Sequence, residues 1–238
     1  MHCFIFHITY VICCFLSVIT YVCAAGAVPE VPVVIVEEKD GEGAINIRNT
    51  DNYPVLLLTT LQNAINKNRD IETMLSIAPP VARIEPGKIQ RVRFILTNKD
   101  PLKTEHMERV IFESIPPQKR YQSTVHMVLR QNVPVIIRPS GLITDEAPWK
   151  HLIWSFNGQI LTVNNPSPYV VRLGQDVVTF PDQIYWVLPQ SYILPEQTLV
   201  LIYKEDKILS KIVVNQIRFF PTTTWGFSVE NYDVSLVS

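Results

Sequence analysis

From residue 31 to its end the chain is a succession of short alternating or β-branched runs closed by turn residues, and no stretch sustains an apolar period of 3.6. VPVVIVEE (31–38), GAINIRN (43–49), YPVLLLTTL (53–61), QRVRFILTN (90–98), ERVIFESI (108–115) and VHMVLRQNVPVIIRP (125–139) read as strands. Asn63 to Thr73 reads as a loop. SGLITDEAPW, Ser140 to Trp149, breaks the rhythm with Pro, Gly and acids, and strands resume with HLIWSFN, QILTVNN, YVVRLGQDVVTF, QIYWVL, QTLVLIYK, KIVVNQIRFF and FSVENYDVSLV. Helix-free spacing of this kind predicts an all-β chain with a domain at 28–140, a hinge at 141–149 and a smaller domain at 150–238. Eighteen prolines against eight glycines suit strands and turns. No internal repeat is visible, so the two halves are expected to be alike in architecture only.

Residues 1–27 carry no Asp, Glu, Lys or Arg and close on Ala25-Gly26-Ala27, which fits an Ala-x-Ala cleavage site and predicts an export signal peptide. All four cysteines, Cys3, Cys13, Cys14 and Cys23, lie inside it, so the exported chain is expected to have no disulfide and no thiol nucleophile.

The rest of the sequence offers little for catalysis. There is no G-x-S-x-G, no glycine loop for a phosphate, and His106, His126 and His151 are too widely spaced for an H-x-x-H or H-E-x-x-H metal site. Asp145 and Glu146 read as solvated linker charges. A net charge of −1 gives no field to recruit nucleic acid. The expectation is a protein that is not an enzyme, with no metal, cofactor, nucleic acid or small-molecule substrate.

What remains is STVHMVLRQNVPVIIRP, Ser123 to Pro139: an alternating half, then a nearly continuous apolar half interrupted by Pro134. Period-two alternation sets Val125, Met127 and Leu129 on one face. ARIEPGKIQRVRF (82–94), ERVIFESIPP (108–117) and VPVIIRPSGL (133–142), followed by NNPSPYVVRL (164–173) and ILPEQT (193–198), resemble in order the periplasmic chaperones of the chaperone–usher pilus pathway. The resemblance implies two immunoglobulin-like sandwiches in an L, and a seventh strand that lends alternating side chains to a pilin lacking its own last strand. It further implies pilin subunits and an outer-membrane usher as partners, the periplasm as the place of action, and Val125, Met127 and Leu129 as the lent residues. The short link from Ile115 to Val125 resembles the short-loop subgroup. An exposed strand edge must also be protected when no subunit is bound, by the Val28–Pro32 arm or by self-association.

Where better-known relatives hold the subunit's terminal carboxylate with an Arg and a Lys, this sequence has Val33 and Pro134. Arg109 and Arg130 are the candidate replacements, because a guanidinium pairs a carboxylate in two-pronged fashion. Glu105 and Arg138 match the family's interdomain ion pair, whose partner in the second domain is replaced within PTTTWGF. A different reading makes the chain an exported subunit or adhesin, with Trp149, Trp154, Tyr185, Trp186 and Trp225 lining a sugar pocket.

Overall fold

A computed structural model describes residues 26–63, 74–98, 100–117, 128–203 and 213–236. In the first half the strands are β1 (Ala27–Pro29), β2 (Val34–Glu37), β3 (Glu42–Asn49), β4 (Val55–Asn63), β5 (Leu75–Ala78), β6 (Val81–Ile84), β7 (Ile89–Leu96), β8 (His106–Ile115) and β9 (Leu129–Arg138). They lie in the order β5-β7-β3-β2-β9-β8-β4-β6, with β1 on β3. β2 is the crossover, parallel to β9 from Val34 to Glu37 and meeting β3 where Glu37 stands opposite Glu42. The strands on its two sides fold over one another, so Ile47 of β3 and Phe94 of β7 share a core with Phe112 of β8 and with Val133, Val135 and Ile137 of β9. Gly43 is required where β3 passes beneath β2, since a Cβ there would stand 2.3 Å from the Ile35 carbonyl oxygen.

The second half adds β10 (Ile153–Phe156), β11 (Leu161–Asn164), β12 (Val171–Pro181), β13 (Ile184–Val187), β14 (Tyr192–Ile193), β15 (Thr198–Val200), β16 (Ile202–Tyr203), β17 (Val214–Thr222) and β18 (Tyr232–Ser235). One sheet is β10-β11-β15; the other is β16-β13-β12-β17-β18 with β14 on β12. Both bury side chains in a single core around Trp154, Leu161, Trp186 and Phe219. The all-β, two-sandwich architecture expected from the strand rhythm is the one that forms.

One turn device recurs in both halves, although the sequence shows no repeat. Asn49 donates through Nδ2 to the carbonyls of Tyr53 and Ile84, both at 2.9 Å, and its Oδ1 accepts the Asp51 N–H at 2.9 Å. Asn165 donates to the Tyr169 carbonyl at 2.8 Å and to those of Ile193 and Leu194 at 3.2 Å, while its Oδ1 accepts from Ser167. In each half a fully buried asparagine thus closes a turn onto the tyrosine four residues on.

The stretch read as a hinge is fastened at several points. Glu38 accepts the Ser140 and Leu102 N–H groups, the Tyr169 hydroxyl donates to the Ile143 carbonyl at 2.7 Å, and His151 lies 2.7 Å from Asp145. Asp145 is therefore more than a solvated linker charge. A 3₁₀ turn, Pro148–His151, then buries Pro148 and Trp149.

The Val28–Pro32 arm does not cap the β9 edge as expected. Ala27–Pro29 pairs with Ile47–Asn49 of β3, and Glu30 is held there by Arg48 at 2.9 Å and Asn46 at 3.2 Å. Pro29 and Pro32 also lack the N–H groups a capping strand would need. The arm's link to β9 is the Gln131 side chain, whose Nε2 donates to the Ala27 carbonyl at 2.8 Å. Gly26 donates to Asp51 and Ala27 is buried, so both are built into the first sandwich; residues 1–25 of the predicted leader lie outside the described residues.

Glu108 is an internal weak point. One carboxylate oxygen accepts the Met74 N–H at 2.7 Å; the other is buried without a hydrogen-bond partner among the described residues. Burial raises its pKa above the ordinary value, and Met74 offsets this in part. Such an acid holds its proton more tightly folded than unfolded, so stability present at low pH is lost as pH rises through 4.5 toward the raised value. Glu108→Gln is expected to gain about 1 kcal/mol at neutral pH and to flatten that decline, as thermal melts across pH would record.

Candidate functional site

β9 is paired along its whole length on one side only. It meets β8 from Leu129 to Ile137, but β2 covers it only from Val135 to Arg138. Leu129 to Asn132 therefore present a ladder edge that no described strand occupies. On this strand Val133, Val135 and Ile137 point into the core, and Leu129, four residues before Val133 in the same alternation, is 40% exposed. Val125 and Met127, the other two residues read as lent, fall outside the described residues.

The opposite face of β9 carries Arg130, Asn132, Pro134, Ile136 and Arg138. Arg130 already has a carboxylate: it stands opposite Glu113 on β8, with Nε 2.8 Å from Oε2. Arg138 reaches Glu105 at 3.0 Å and Glu37 at 3.1 Å. Glu105 in turn accepts the Val170 N–H at 2.9 Å and donates its own N–H to the Pro168 carbonyl at 2.8 Å, binding the two sandwiches together. Burial pushes the Glu105 carboxyl upward, against the pull of Val170 and Arg138. Beside this lock Val33, Met107, Ile136 and Val170 form a small apolar cluster shared by the two domains.

Two residues further out along β8 and β12 stand Arg109 and Arg172. Arg109 is opposite Pro134, and Pro134 adjoins buried Val33 because Val34 and Val135 are partners. Its Nε and Nη2 donate to the Asn132 side chain and carbonyl. Arg172 lies between Tyr192 of β14 and Thr222 of β17 and donates to the Thr224 carbonyl at 3.0 Å. A Cβ on Gly226 would approach both Arg172 Nη1, at 3.4 Å, and Pro32 Cγ, at 3.3 Å, which puts the guanidinium at the boundary between the domains. Burial first, then the positive charge of Arg109, lowers its pKa from the ordinary value. Among the described residues neither arginine is paired with a carboxylate. The loop that holds Arg172 also exposes Trp225 and Phe227.

Arg172 and Asn132 escape a reading of the sequence, because neither belongs to a spacing that announces a site. Arg172 follows the NNPSPY turn on a strand whose cleft-facing side becomes apparent only when Val170 is seen against Met107. The aromatic set of the adhesin reading is not brought together: Trp149, Trp154 and Trp186 are in the second core, while Tyr185 and Trp225 are exposed.

Two family models match nearly the whole described chain, one for the N-terminal domain of a pili and flagellar-assembly chaperone over residues 26–143 and one for the C-terminal domain of a pili assembly chaperone over 147–216. The fimbrial chaperone YhcA of Escherichia coli K12 is 36% identical over 230 residues, covering 97% of this chain and 98% of the relative. Among solved structures, the fold resembles the SafB chaperone in complex with the SafA pilin of Salmonella enterica, with a TM-score of 0.72 at 19% identity over 90% of this chain and 98% of that one. It also resembles the complex of CsuC with the tip subunit CsuE from Acinetobacter baumannii, with a TM-score of 0.61 at 19% identity over 90% of this chain and 100% of that one.

Proposed function

The chain belongs to the pili assembly chaperone family, and from that premise we propose that it lends the open edge of β9 to a fimbrial subunit in the periplasm and hands that subunit to an outer-membrane usher. The observation that carries this reading is the run from Leu129 to Asn132, unpaired on one side among the described residues and opening on an exposed leucine. A subunit lacking one strand exposes unpaired backbone and an apolar groove, which together template aggregation. A borrowed strand satisfies both at once, its main chain giving affinity and its alternate side chains filling the groove. Val125, Met127 and Leu129 are the side chains assigned to that groove. No cofactor takes part. Between clients, self-association would cover the edge, since the amino-terminal arm is committed to β3.

The test is affinity purification of the tagged chain, with its leader, from the periplasm of cells that assemble fimbriae. The expected result is a fimbrial subunit in stoichiometric amount, identified by mass spectrometry, with a chaperone cleaved ahead of Gly26 so that Gly26 and Ala27 remain. A chain that comes down without a subunit would overturn the reading.

A further inference from the structure

Trp225 and Phe227 are 53% and 70% exposed, yet the loop that carries them is fixed. The Thr223 N–H donates to the Phe227 carbonyl at 2.8 Å, and the Phe227 N–H donates back to Thr223 Oγ1 at 3.1 Å. Gly226, at φ 86°, takes the left-handed conformation that closes the turn, and its N–H donates to the Thr223 carbonyl at 2.9 Å. From β12, Arg172 holds the Thr224 carbonyl at 3.0 Å. Two large rings on one rigid tip differ from singly scattered apolar residues and mark a contact surface. Held in this way they lose little freedom on binding, and aromatic side chains of this kind carry much of the energy of protein contacts.

The place of the loop in the molecule identifies the partner. The open ladder along β9 closes where β2 begins, with Val34 opposite Val135, so Pro32 and Val33 stand at its inner end. The loop meets the first domain there, since a Cβ on Gly226 would lie 3.3 Å from Pro32 Cγ. What fills the open ladder is one strand of a folded body, whose neighbouring strands lie about 4.8 Å away and whose second sheet lies about 10 Å away. Such a body is wider than the strand it presents, and it overhangs the inner end, where the second domain offers Trp225 and Phe227. Val31, next to Pro32 in the chain and 40% exposed, adds an apolar side chain from the first domain. We infer that the loop from Thr222 to Phe227 is a second-domain contact for the body of the fimbrial subunit, with Trp225 and Phe227 packed on an apolar patch beside the strand that the subunit lays on β9. The inference rests on the lending of the β9 edge proposed above. Arg172 is a positioning residue in it, acting through the Thr224 carbonyl.

The test puts the photo-reactive amino acid p-benzoylphenylalanine in place of Trp225, Phe227, Leu129 or Tyr185 in turn, in the full tagged chain made by cells that assemble fimbriae, and irradiates the cells. Tyr185 is the control: it is 46% exposed on the same domain but stands opposite Val178, further along β12 from Arg172. Mass spectrometry of the covalent adducts is expected to find the fimbrial subunit joined at 225, 227 and 129 and not at 185. Adducts at 225 and 227 formed with a second copy of the chain, with the usher or with no protein at all overturn the inference, as does an equal yield of subunit adduct at 185. Trp225→Ser combined with Phe227→Ser should melt with the parent, because both rings are mostly in water, and should lower the subunit recovered per unit of soluble chain about tenfold. If the double variant melts lower, Phe227→Ser alone, at the more exposed site, is expected to lower recovery about threefold. Recovery equal to the parent's in a variant that melts with the parent overturns the inference. The adduct at 129 separates the two readings: its absence strikes the lending of β9, whereas its presence without adducts at 225 and 227 strikes the second-domain contact alone.

Discussion

Glu105→Ala is expected to destabilise the protein by about 3 kcal/mol and to loosen the second domain against the first. Glu105 is 5% exposed and ties three things together: the Arg138 guanidinium at 3.0 Å, the Val170 N–H at 2.9 Å and, through its own backbone, the Pro168 carbonyl. Removing one partner of a buried pair costs about 3–5 kcal/mol, because the other charge is left without compensation. Here Arg138 keeps Glu37 at 3.1 Å, which points to the lower end of that range. Arg138→Ala should cost less, because the orphaned carboxyl, already raised by burial, can take up a proton and keep its bond to Val170. The sign then follows: with a folded pKa above the ordinary value, the stability of Arg138→Ala is present at low pH and falls as pH rises through 4.5 and beyond. Denaturant unfolding checks the energies, and small-angle scattering checks the domain angle. Glu105→Leu with Arg138→Met should cost much less than the two single changes added together, since a buried pair can be exchanged for apolar packing. A loss below about 1 kcal/mol for Glu105→Ala would mean that the apolar cluster of Val33, Met107, Ile136 and Val170 fixes the joint instead.

The strands were legible because their faces differ: ERVIFESI alternates, and β8 buries Val110, Phe112 and Ser114 on one side accordingly. The joint was legible in part, since Glu105 and Arg138 sit in a recognisable order even though they are far apart in the chain. The destination of the amino-terminal arm was not, because its pairing depends on Glu30 finding Arg48 and Asn46 on another strand. Nor was the shared turn device, where Asn-Thr-Asp-Asn-Tyr and Asn-Pro-Ser-Pro-Tyr agree only at their ends and the buried asparagine does the same job in each. The two anchor candidates, with Arg109 first and Arg130 second on the sequence, differ in their surroundings: the register of β8 against β9 puts Arg130 opposite a glutamate and Arg109 opposite a proline. That distinction depends on register, which a run of alternating residues does not encode by itself.

Met127→Glu and Leu129→Glu are expected to leave the chaperone folded and to abolish protection of its client. In the free chain Leu129 is 40% exposed at the end of a strand, so a glutamate there can reach water, and its effect on folding should stay within about 1 kcal/mol. In the complex the same position is expected to sit in the subunit's groove. Losing an apolar side chain there forfeits about 1.5–3 kcal/mol, and burying a carboxylate without a partner adds to this. Together these amount to at least a hundredfold loss of affinity, enough to return the subunit to aggregation and proteolysis. Arg130→Ala is the internal control: it breaks an exposed pair on the other face of the same strand, worth no more than about 1 kcal/mol, and should leave subunit yield nearly unchanged. The measurement is periplasmic subunit recovered per unit of soluble chaperone. If Leu129→Glu recovers as much subunit as Arg130→Ala does, the apolar alternation of β9 serves only the chaperone's own core, and the lent-strand reading fails.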